Sequence, residues 1–598
     1  MLRAAAPNLK FIARKAGIKA TGPRRWARYS TNAHVSRPGI TIRTASLSAT
    51  ALLSVSLGLG AYRVYADYEE EATAPRPSLK TLVRSYFVFS MCSVPRLVDA
   101  SPKILEVLSS IPGIKQLTEA FVRVTFFDHF VGGDTAQGCL PLLRSFRSQN
   151  KGALFAYSVE VDENEANTVG ISKVHSINEL PHKKIVEEMI RCIDVAADFE
   201  DEIGAGAKGC RTWVAIKITA LIPNAHSLIK LSSHIIKTRP PSETSVPFPG
   251  CPQSTDLDVL YSPDSAPELD KGDIDSLLDL HADLVKICIR AQERGVKIII
   301  DAEYSWYQPA LDALTLALMR QFNQLSDSSS EASPVQPLIY GTYQAYLRRT
   351  PQHLQLALED ARANHYALGI KLVRGAYHPH ELAAYLAAAS YPRKPSPSIS
   401  PDAVPPVWEH KEDTDARYNE CVEFLIRSAS KDIELRKKEY TKYARKGWFG
   451  NWLWGTVSAE SSDSQVPERT IQNNNVPGVG ILFGTHNWKS CSLILDELVK
   501  NKLAIQEGDV VVVGDEGAER VTVGQLYGMS DDLTDSMVQR TKSTSPFVIK
   551  YVPYGALSEV MPYLSRRAIE NKSILGDGGA IKERKRAGDE IWKRIKPF

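Results

Sequence analysis

The chain has 598 residues, and its 72 Lys and Arg against 69 Asp and Glu give a formal net charge of only +3. Hydrophobic residues (43%) and charged residues (24%) occur at the frequencies of soluble globular proteins, and so small a net charge indicates no nucleic-acid partner. The length exceeds one average domain, although a barrel with insertions can use most of it.

The first 66 residues contain no Asp or Glu but many Arg and Lys. This composition, which also includes hydroxyl residues, is typical of a mitochondrial transit peptide, and we place one at 1–43. The apolar segment 44–66 follows, whose uncharged run is just long enough to span a bilayer. It can be a membrane anchor, a sorting signal or an interfacial segment. A basic tail for anionic lipid or RNA is the alternative for the whole stretch.

Several common kinds of site are not indicated. The eight cysteines are scattered without a C-x-x-C pair, which favours reduced thiols over a disulfide framework or structural zinc. No ligand set suggests a catalytic metal, and no G-x-S-x-G motif suggests a serine nucleophile. A lone G-x-G-x-x-G at 204–209 follows a helical pattern and leads into a strand, the reverse of a dinucleotide-binding context.

Residues 67–150 have a mostly helical pattern, broken near Pro95 and at Pro112-Gly113. Apolar runs rich in Val and Ile then alternate with helical periodicity, as expected of parallel strands buried on both faces. Eight such runs predict strands at 153–161, 213–221, 297–305, 337–347, 369–377, 478–487, 520–527 and 547–555.

Eight strands, each followed by a helix, predict a (β/α)8 TIM-like barrel over 151–575. The helical region 67–150 precedes it and a charged tail, 576–598, follows it. A doubly wound open sheet is the alternative, and 510–513 is either an extra hairpin or the true seventh strand. Four insertions, at 240–267, 326–336, 391–406 and 442–475, interrupt the alternation. The third is disordered or wraps over the surface, and the fourth holds a Trp-rich patch that touches membrane or packs on the barrel.

Polar residues stand at the ends of seven of these strands. Ionisable groups are rarely buried unless paired, so in a barrel these side chains converge on one polar mouth. Such a mouth suits an anionic cofactor, whereas a strand lysine also permits a Schiff-base aldolase. The residues concerned are Lys217, Asp301, Glu303, Gln344, Lys371, Arg374, His486, Gln525 and Tyr551.

The segment 563–571 has helical spacing, which lets the side chains of Arg566, Arg567 and Glu570 converge. Two guanidiniums suit a carboxylate and a glutamate suits an ammonium, so the segment can receive a free amino acid. On these residues alone, the alternative is an ordinary surface salt bridge.

Together the motifs resemble those of the proline dehydrogenase family, in the family order and over most of residues 128–575. The fungal-style insertions and the N-terminal composition are similar to those of eukaryotic mitochondrial members. The motifs are Asp301-Ala302-Glu303, Tyr343-Gln344-Ala345-Tyr346, Lys371 to Tyr377 with Glu381, Gly484-Thr485-His486-Asn487, Gln525 to Met529, and Tyr563 to Asn571.

The resemblance implies a barrel that binds FAD non-covalently and oxidises L-proline to Δ1-pyrroline-5-carboxylate. Electrons would pass to ubiquinone at the matrix side of the mitochondrial inner membrane, with peripheral or anchored membrane association. It also implies that Arg566 and Arg567 bind the substrate carboxylate and that Glu570 orients them. The remaining pocket residues would be Lys217, Asp301, Tyr377, Leu526 and Tyr551. The flavin contacts would be Gln344, Lys371, Arg374, Gly375, Ala376, Thr485, His486, Asn487 and Gln525.

Two positions bear on how far the family pattern holds. Ala156 stands in the first strand where many members have Asp, so the polar contact of that strand is in doubt. Tyr551 is bulky where hydroxyproline-oxidising relatives have a smaller residue, which favours proline as substrate. Hydroxyproline oxidation, a Schiff-base lyase and an inactive barrel scaffold are the competing hypotheses.

Overall fold

The computed structural model describes residues 77–158, 181–204, 211–239, 246–262, 267–325, 337–390, 396–453, 478–573 and 579–595. The predicted transit peptide 1–43 and apolar segment 44–66 lie outside the described residues, as do residues 326–336 and parts of the other three insertions. Across the described ranges, no helix combines the length and apolar composition that crossing a membrane requires.

The strands are β1 (Lys151–Tyr157), β2 (Thr212–Ile216), β3 (Ile298–Ile300), β4 (Ile339–Gln344), β5 (Leu368–Val373), β6 (Val479–Gly484), β7 (Ala504–Glu507), β8 (Val510–Val513), β9 (Val521–Leu526), β10 (Thr541–Lys542) and β11 (Val548–Tyr554). Eight of them close into a parallel barrel in the order β1-β2-β3-β4-β5-β6-β9-β11, and β11 pairs with β1. These eight coincide with the eight apolar runs of the sequence, so the predicted barrel is confirmed.

A small sheet lies outside the barrel. β7 and β8 pair antiparallel, and β10 adds to β8 in parallel. The turn between β7 and β8 contains Gly508 at φ +60°, a left-handed conformation that favours glycine. Residues 510–513 are therefore part of a hairpin, and the seventh strand of the barrel is β9.

The helices are α1 (Leu79–Cys92), α2 (Pro95–Ser109), α3 (Ile114–Val122), α4 (Leu140–Ser148), α5 (Pro181–Glu202), α6 (His226–Thr238), α7 (Lys271–Arg294), α8 (Gln308–Phe322), α9 (Thr350–Ala363), α10 (His378–Ser390), α11 (Lys411–Leu453), α12 (Trp488–Lys500), α13 (Asp515–Arg520), α14 (Asp531–Gln539), α15 (Leu557–Ser573) and α16 (Gly579–Ile595). α7 illustrates the sequence features that begin, end and bury these helices. Asp270 and Asp273 make a capping box at its start, Gly295 ends it at φ +66°, and its apolar stripe is buried.

The inside of the barrel is packed rather than open. Trp213, Ile299, Tyr340 and Leu482 belong to an interior cluster, while a larger apolar core fills the space between strands and helices. Ala156 of β1 faces this interior and is buried. At this position β1 therefore contributes a methyl group, not a polar group, to the interior.

A helical layer carries α15 beside the barrel. α1, α2 and α3 are separated near Pro95 and Pro112, as the sequence predicted, and α1 packs against α16. Phe89, Met529 and Leu564 belong to the apolar cluster that joins this layer to α15 and to the loop after β9. The charged segment 576–598 thus contains a packed helix.

Two of the three partly described insertions, 391–406 and 442–475, lie between β5 and β6. Residues 396–406 wrap over the surface, where Ser396 Oγ donates to the carbonyl of Ala384 at 2.7 Å and Tyr385 OH donates to the carbonyl of Asp402 at 3.0 Å. α11 extends into the predicted insertion 442–475 as far as Leu453. The first of these insertions is therefore fastened to α10.

Candidate active site

The barrel interior changes from apolar to polar at the carboxyl ends of the strands. Side chains along each strand alternate between the barrel interior and the helix layer. Ile299 and Ile549 face the interior, so Asp301 and Tyr551, two residues further on, lie on the same face. The same alternation leads from Ala215 to the half-buried Lys217. The predicted site residues on this face are Lys217, Asp301, Gln344, Lys371 and Tyr551.

Asp301 joins three strands at this end of the barrel. Its Oδ1 accepts a hydrogen bond from Lys371 Nζ at 2.5 Å, and its Oδ2 accepts one from Tyr551 OH at 2.8 Å. Lys371 Nζ also lies 5.0 Å from the centroid of the Tyr551 ring. Lys371 and Asp301 are both buried, so each charge needs the other. The structure therefore unites a predicted flavin contact with two predicted pocket residues.

α15 brings its two arginines to the same region. The Arg566 guanidinium lies 5.1 Å from the ring centroid of Tyr377, which follows β5. Arg567 is 4% exposed, and its Nη2 donates to Glu570 Oε1 at 2.5 Å, while Glu570 is 7% exposed. A pair so deeply buried is not an ordinary surface salt bridge. The contact agrees with the expectation that Glu570 orients an arginine.

An aromatic stack continues from Tyr377 along the rim. Its ring centroid lies 4.2 Å from that of Tyr304, which stacks on Trp306 at 4.4 Å with the planes 8° apart. Sequence reasoning missed Tyr304 and Trp306. The available signal was the aromatic run that directly follows the third predicted strand. Because the Arg566 guanidinium lies over the Tyr377 ring, the stacked rings help to position this arginine.

His486 is neutral over the physiological pH range. Burial lowers its pKa to about 3, and the positive charges of Lys550 and Arg567 add to the effect. Its Nε2 accepts the backbone N–H of Leu526 at 3.4 Å, which assigns the remaining proton to Nδ1. Among the described residues, Nδ1 has no hydrogen-bond partner although it is buried. His486 therefore has a donor to offer to another molecule.

Gln344 offers the complementary group. Its Nε2 donates to the carbonyl of Glu303 at 3.3 Å and to Tyr346 OH at 3.1 Å, whereas its buried Oε1 has no partner in the described part of the chain. A flavin carries both hydrogen-bond donors and acceptors. One orphaned acceptor and one orphaned donor at the ends of β4 and β6 therefore fit such a cofactor.

Arg374 faces the helix layer beside the start of α12. Its three nitrogens donate to Asp415 at 2.5 Å, to Thr485 Oγ1 at 2.7 Å and to Ser490 Oγ at 2.9 Å. A helix N-terminus next to an arginine is suited to a phosphate group. The guanidinium also lies 4.2 Å from the ring centroid of Tyr418. These partners hold the guanidinium in place.

Two other predicted cofactor residues have partners within the protein. Gln525 faces the helix layer, where its Nε2 donates to the carbonyl of Thr485 at 3.3 Å and its Oε1 accepts from Thr534 Oγ1 at 3.1 Å. Asn487 caps α12 and accepts the N–H of Ser490 at 3.2 Å. Both side chains stabilise the loop after β6, and their contacts with a cofactor stay predictions.

Gly375 forms a close approach at the end of β5. Its φ is +120°, and a Cβ at this position would lie 2.6 Å from the ring of Tyr346. Glycine is therefore required by both conformation and space. Ala376 follows it and is exposed, and Leu526 is half-buried at the end of β9. The structure places all three at the carboxyl end of the barrel.

Comparison with known proteins gives a consistent picture. The model of the family described as proline dehydrogenase matches residues 163–577. "Proline dehydrogenase 1, mitochondrial" of Arabidopsis thaliana is 26% identical over 505 residues, 83% of this chain and 80% of that relative. "Hydroxyproline dehydrogenase" of Xenopus laevis is 27% identical over 515 residues, 86% of this chain and 87% of the relative.

A solved structure shares the fold. Proline utilization A from Bdellovibrio bacteriovorus, inactivated by N-propargylglycine, aligns with 92% of this chain at a TM-score of 0.52 and 14% sequence identity. The present chain spans 44% of the length of that protein. At this identity the likeness supports the fold alone, an α/β barrel with preceding helices.

Proposed function

This chain belongs to the proline dehydrogenase family, and from that premise we propose that it oxidises L-proline to Δ1-pyrroline-5-carboxylate with FAD. The observation that carries the proposal is the position of α15. It holds Arg566 over Tyr377 and the buried Arg567 beside Glu570, close to the polar end of the barrel. A free amino acid supplies the carboxylate that two such guanidiniums need.

The substrate is held by charge at one end and by rings at the other. Arg566 and Arg567 bind its carboxylate, and Arg567 Nε, which is buried without a hydrogen-bond partner among the described residues, is available to donate to it. Tyr377 and Tyr551 supply flat apolar surfaces for the pyrrolidine ring. Leu526 closes the pocket from the end of β9. This arrangement fixes the substrate in one orientation, which is the main requirement for hydride transfer.

When bound, FAD accepts a hydride from the substrate carbon next to nitrogen. Gln344 and His486 would hold the flavin through their orphaned acceptor and donor, and Lys371 would lie beside it. Arg374, Gly375, Ala376, Thr485, Asn487 and Gln525 would line the rest of its site. No step of this proposal needs a metal ion.

The protein also favours the reactive form of the substrate. The amine must lose its proton before the nitrogen lone pair can form the C=N bond as the hydride leaves the adjacent carbon. The four cationic residues Arg566, Arg567, Lys217 and Lys371 outnumber the carboxylates of Asp301 and Glu570, and this excess of positive charge lowers the pKa of a bound ammonium. Asp301 is already engaged with Lys371 and Tyr551, so it does not offer a free carboxylate to that ammonium.

Proline is the better substrate on this reading. Tyr551 fills its part of the pocket with a whole ring, and its hydroxyl is tied to Asp301 at 2.8 Å. A ring hydroxyl on the substrate would therefore find little space and no open partner there. A relative named for proline and one named for hydroxyproline have nearly equal sequence identity to this chain, 26% and 27%. Sequence identity therefore does not decide between the two substrates, and the preference for proline depends on Tyr551.

The electrons would pass to ubiquinone at the matrix side of the mitochondrial inner membrane. Relatives from Arabidopsis thaliana and Homo sapiens carry "mitochondrial" in their names. The Arg-rich, acid-free N-terminal composition supports the same location.

The purified protein tests these proposals directly. It should be yellow, and anaerobic L-proline should bleach the flavin. Faster bleaching by hydroxyproline would reverse the choice of substrate. A colourless protein that borohydride traps on its substrate would support the lyase instead. A yellow protein that neither amino acid bleaches would support the inactive scaffold.

A further inference from the structure

Glu381 is a buried carboxyl that the proposed reaction does not use. It lies in the first turn of α10 and is 1% exposed. Its Oε1 accepts the backbone N–H of Ser305 at 2.6 Å, and its Oε2 accepts the Ser305 hydroxyl at 2.5 Å. The phenol of Tyr346 lies beside the same carboxyl. Glu381 therefore connects the loops that follow β3 and β4.

The phenol of Tyr346 passes this connection on to Gln344. Burial and the nearby Glu381 raise the pKa of Tyr346 well above its ordinary value, so the phenol keeps its proton. It can donate that proton to Glu381 while its oxygen accepts Gln344 Nε2–H at 3.1 Å. The Glu381 carboxyl thus favours the arrangement in which the Tyr346 oxygen accepts from Gln344 and the phenol proton points toward Glu381.

This direction decides which end of the Gln344 amide is free. One N–H is committed to Tyr346 and the other to the carbonyl of Glu303. Rotating the amide by 180° would remove the bond to Glu303 and place the amide oxygen against the carbonyl oxygen of Glu303, which is unfavourable. The buried Oε1 therefore remains the free group, without a hydrogen-bond partner among the described residues.

We propose that Glu381 and Tyr346 are positioning residues that fix the Gln344 amide with its carbonyl oxygen toward the flavin. The proposal rests on the proposed function, since it needs a flavin at this end of the barrel. The fixed amide oxygen can accept a hydrogen bond from an N–H or O–H group of the cofactor. A reversed amide would place its own N–H against that group, and two donors cannot form a hydrogen bond with each other. Tyr346 has a further constraint, because its ring packs against Gly375.

The test measures the dissociation constant of FAD for variants of the full chain, by titrating the apoprotein with FAD. Tyr346→Phe removes the hydroxyl but keeps the ring, and should weaken FAD binding roughly tenfold. Glu381→Gln should weaken it by a similar factor, and the double variant should be no weaker than Tyr346→Phe alone. In a Gln344→Ala background, Tyr346→Phe should have no further effect, because the amide that it orients is gone.

Tyr366→Phe is the matched control. Tyr366 is also buried, and its hydroxyl donates to Asp360 Oδ2 at 2.8 Å. It should lower stability without changing FAD affinity or the absorption bands of the bound flavin. Tyr346→Phe should shift those bands, which a loss of stability alone does not do.

The outcomes separate the two proposals. Equal weakening by Tyr346→Phe with and without Gln344, or an effect of Tyr366→Phe on FAD affinity, would overturn the positioning role while leaving the dehydrogenase intact. A wild-type protein that binds no FAD would overturn the proposed function as well. If Glu381→Gln does not fold, the comparison of Tyr346→Phe in the two Gln344 backgrounds still decides.

Discussion

Arg567→Met should retain FAD but raise the concentration of proline needed for half-maximal flavin reduction by orders of magnitude. The arginine is 4% exposed and would bind a carboxylate away from water. Removing one partner of a buried, hydrogen-bonded charge pair costs about 2–5 kcal/mol. This corresponds to a loss of affinity between roughly 30-fold and several thousand-fold.

The variant also breaks the 2.5 Å ion pair with Glu570, which is itself 7% exposed. Breaking a buried pair in this way costs about 3–5 kcal/mol of stability. Arg567→Met/Glu570→Gln removes that penalty and separates folding from binding. Arg567→Lys keeps the charge but not the two-pronged geometry, and should fall between the wild type and Arg567→Met.

The assay is anaerobic stopped-flow reduction of the flavin over a range of proline concentrations, with thermal unfolding recorded in parallel. Arg239→Met is the matched control, because Arg239 makes a mostly buried ion pair with Asp256 in another part of the molecule. It should lower stability and leave the proline dependence unchanged. A folded, yellow Arg567→Met protein with a normal proline dependence would refute the role given to α15.

Three further expectations follow from the site. Asp301→Asn and Tyr551→Phe should each slow flavin reduction. Because the two groups share a hydrogen bond, a double-mutant cycle should give a coupling free energy of about 0.5–3 kcal/mol. Additive effects of the two substitutions would contradict this coupling. Tyr551→Ser should raise the ratio of kcat/KM for hydroxyproline to that for proline at least tenfold, and an unchanged ratio would count against Tyr551 as the determinant. The folded pKa of His486, about 3, lies below its ordinary value of 6.5, so its contribution to stability is complete above pH 6.5 and declines as pH falls toward 3. Denaturation at several pH values should show this decline reduced in His486→Gln, and an unaltered pH profile would disprove it.

The barrel could be predicted because its strands are buried on both faces and therefore form apolar runs, such as β3 and β6, that differ from the helices between them. The strand ends could be predicted for the same reason, since a polar residue such as Asp301 directly after three isoleucines is conspicuous. The hairpin of β7 and β8 stayed ambiguous, because a run of four valines suits a barrel strand and a hairpin equally.

Partners across the barrel could not be predicted. Asp301 follows β3 and Lys371 lies in β5. These strands are not neighbours, so the 2.5 Å contact depends on how the interior is packed. Glu381 was visible only as part of a motif, since nothing in the spacing indicates that it reaches back to Ser305. For α16 the sequence predicts only a charged tail, because the few apolar residues of this segment do not indicate which helix it packs against.

The contact between α1 and α16 has a consequence for the order in which the protein matures. α1 is synthesised before the barrel strands and α16 after them, yet both belong to the layer that supports α15. That layer is therefore complete only after α16 has been synthesised. Until then α1 exposes an apolar face that needs protection from aggregation. A truncation just before α16 would keep every residue of the barrel but would remove a helix from the layer that supports α15.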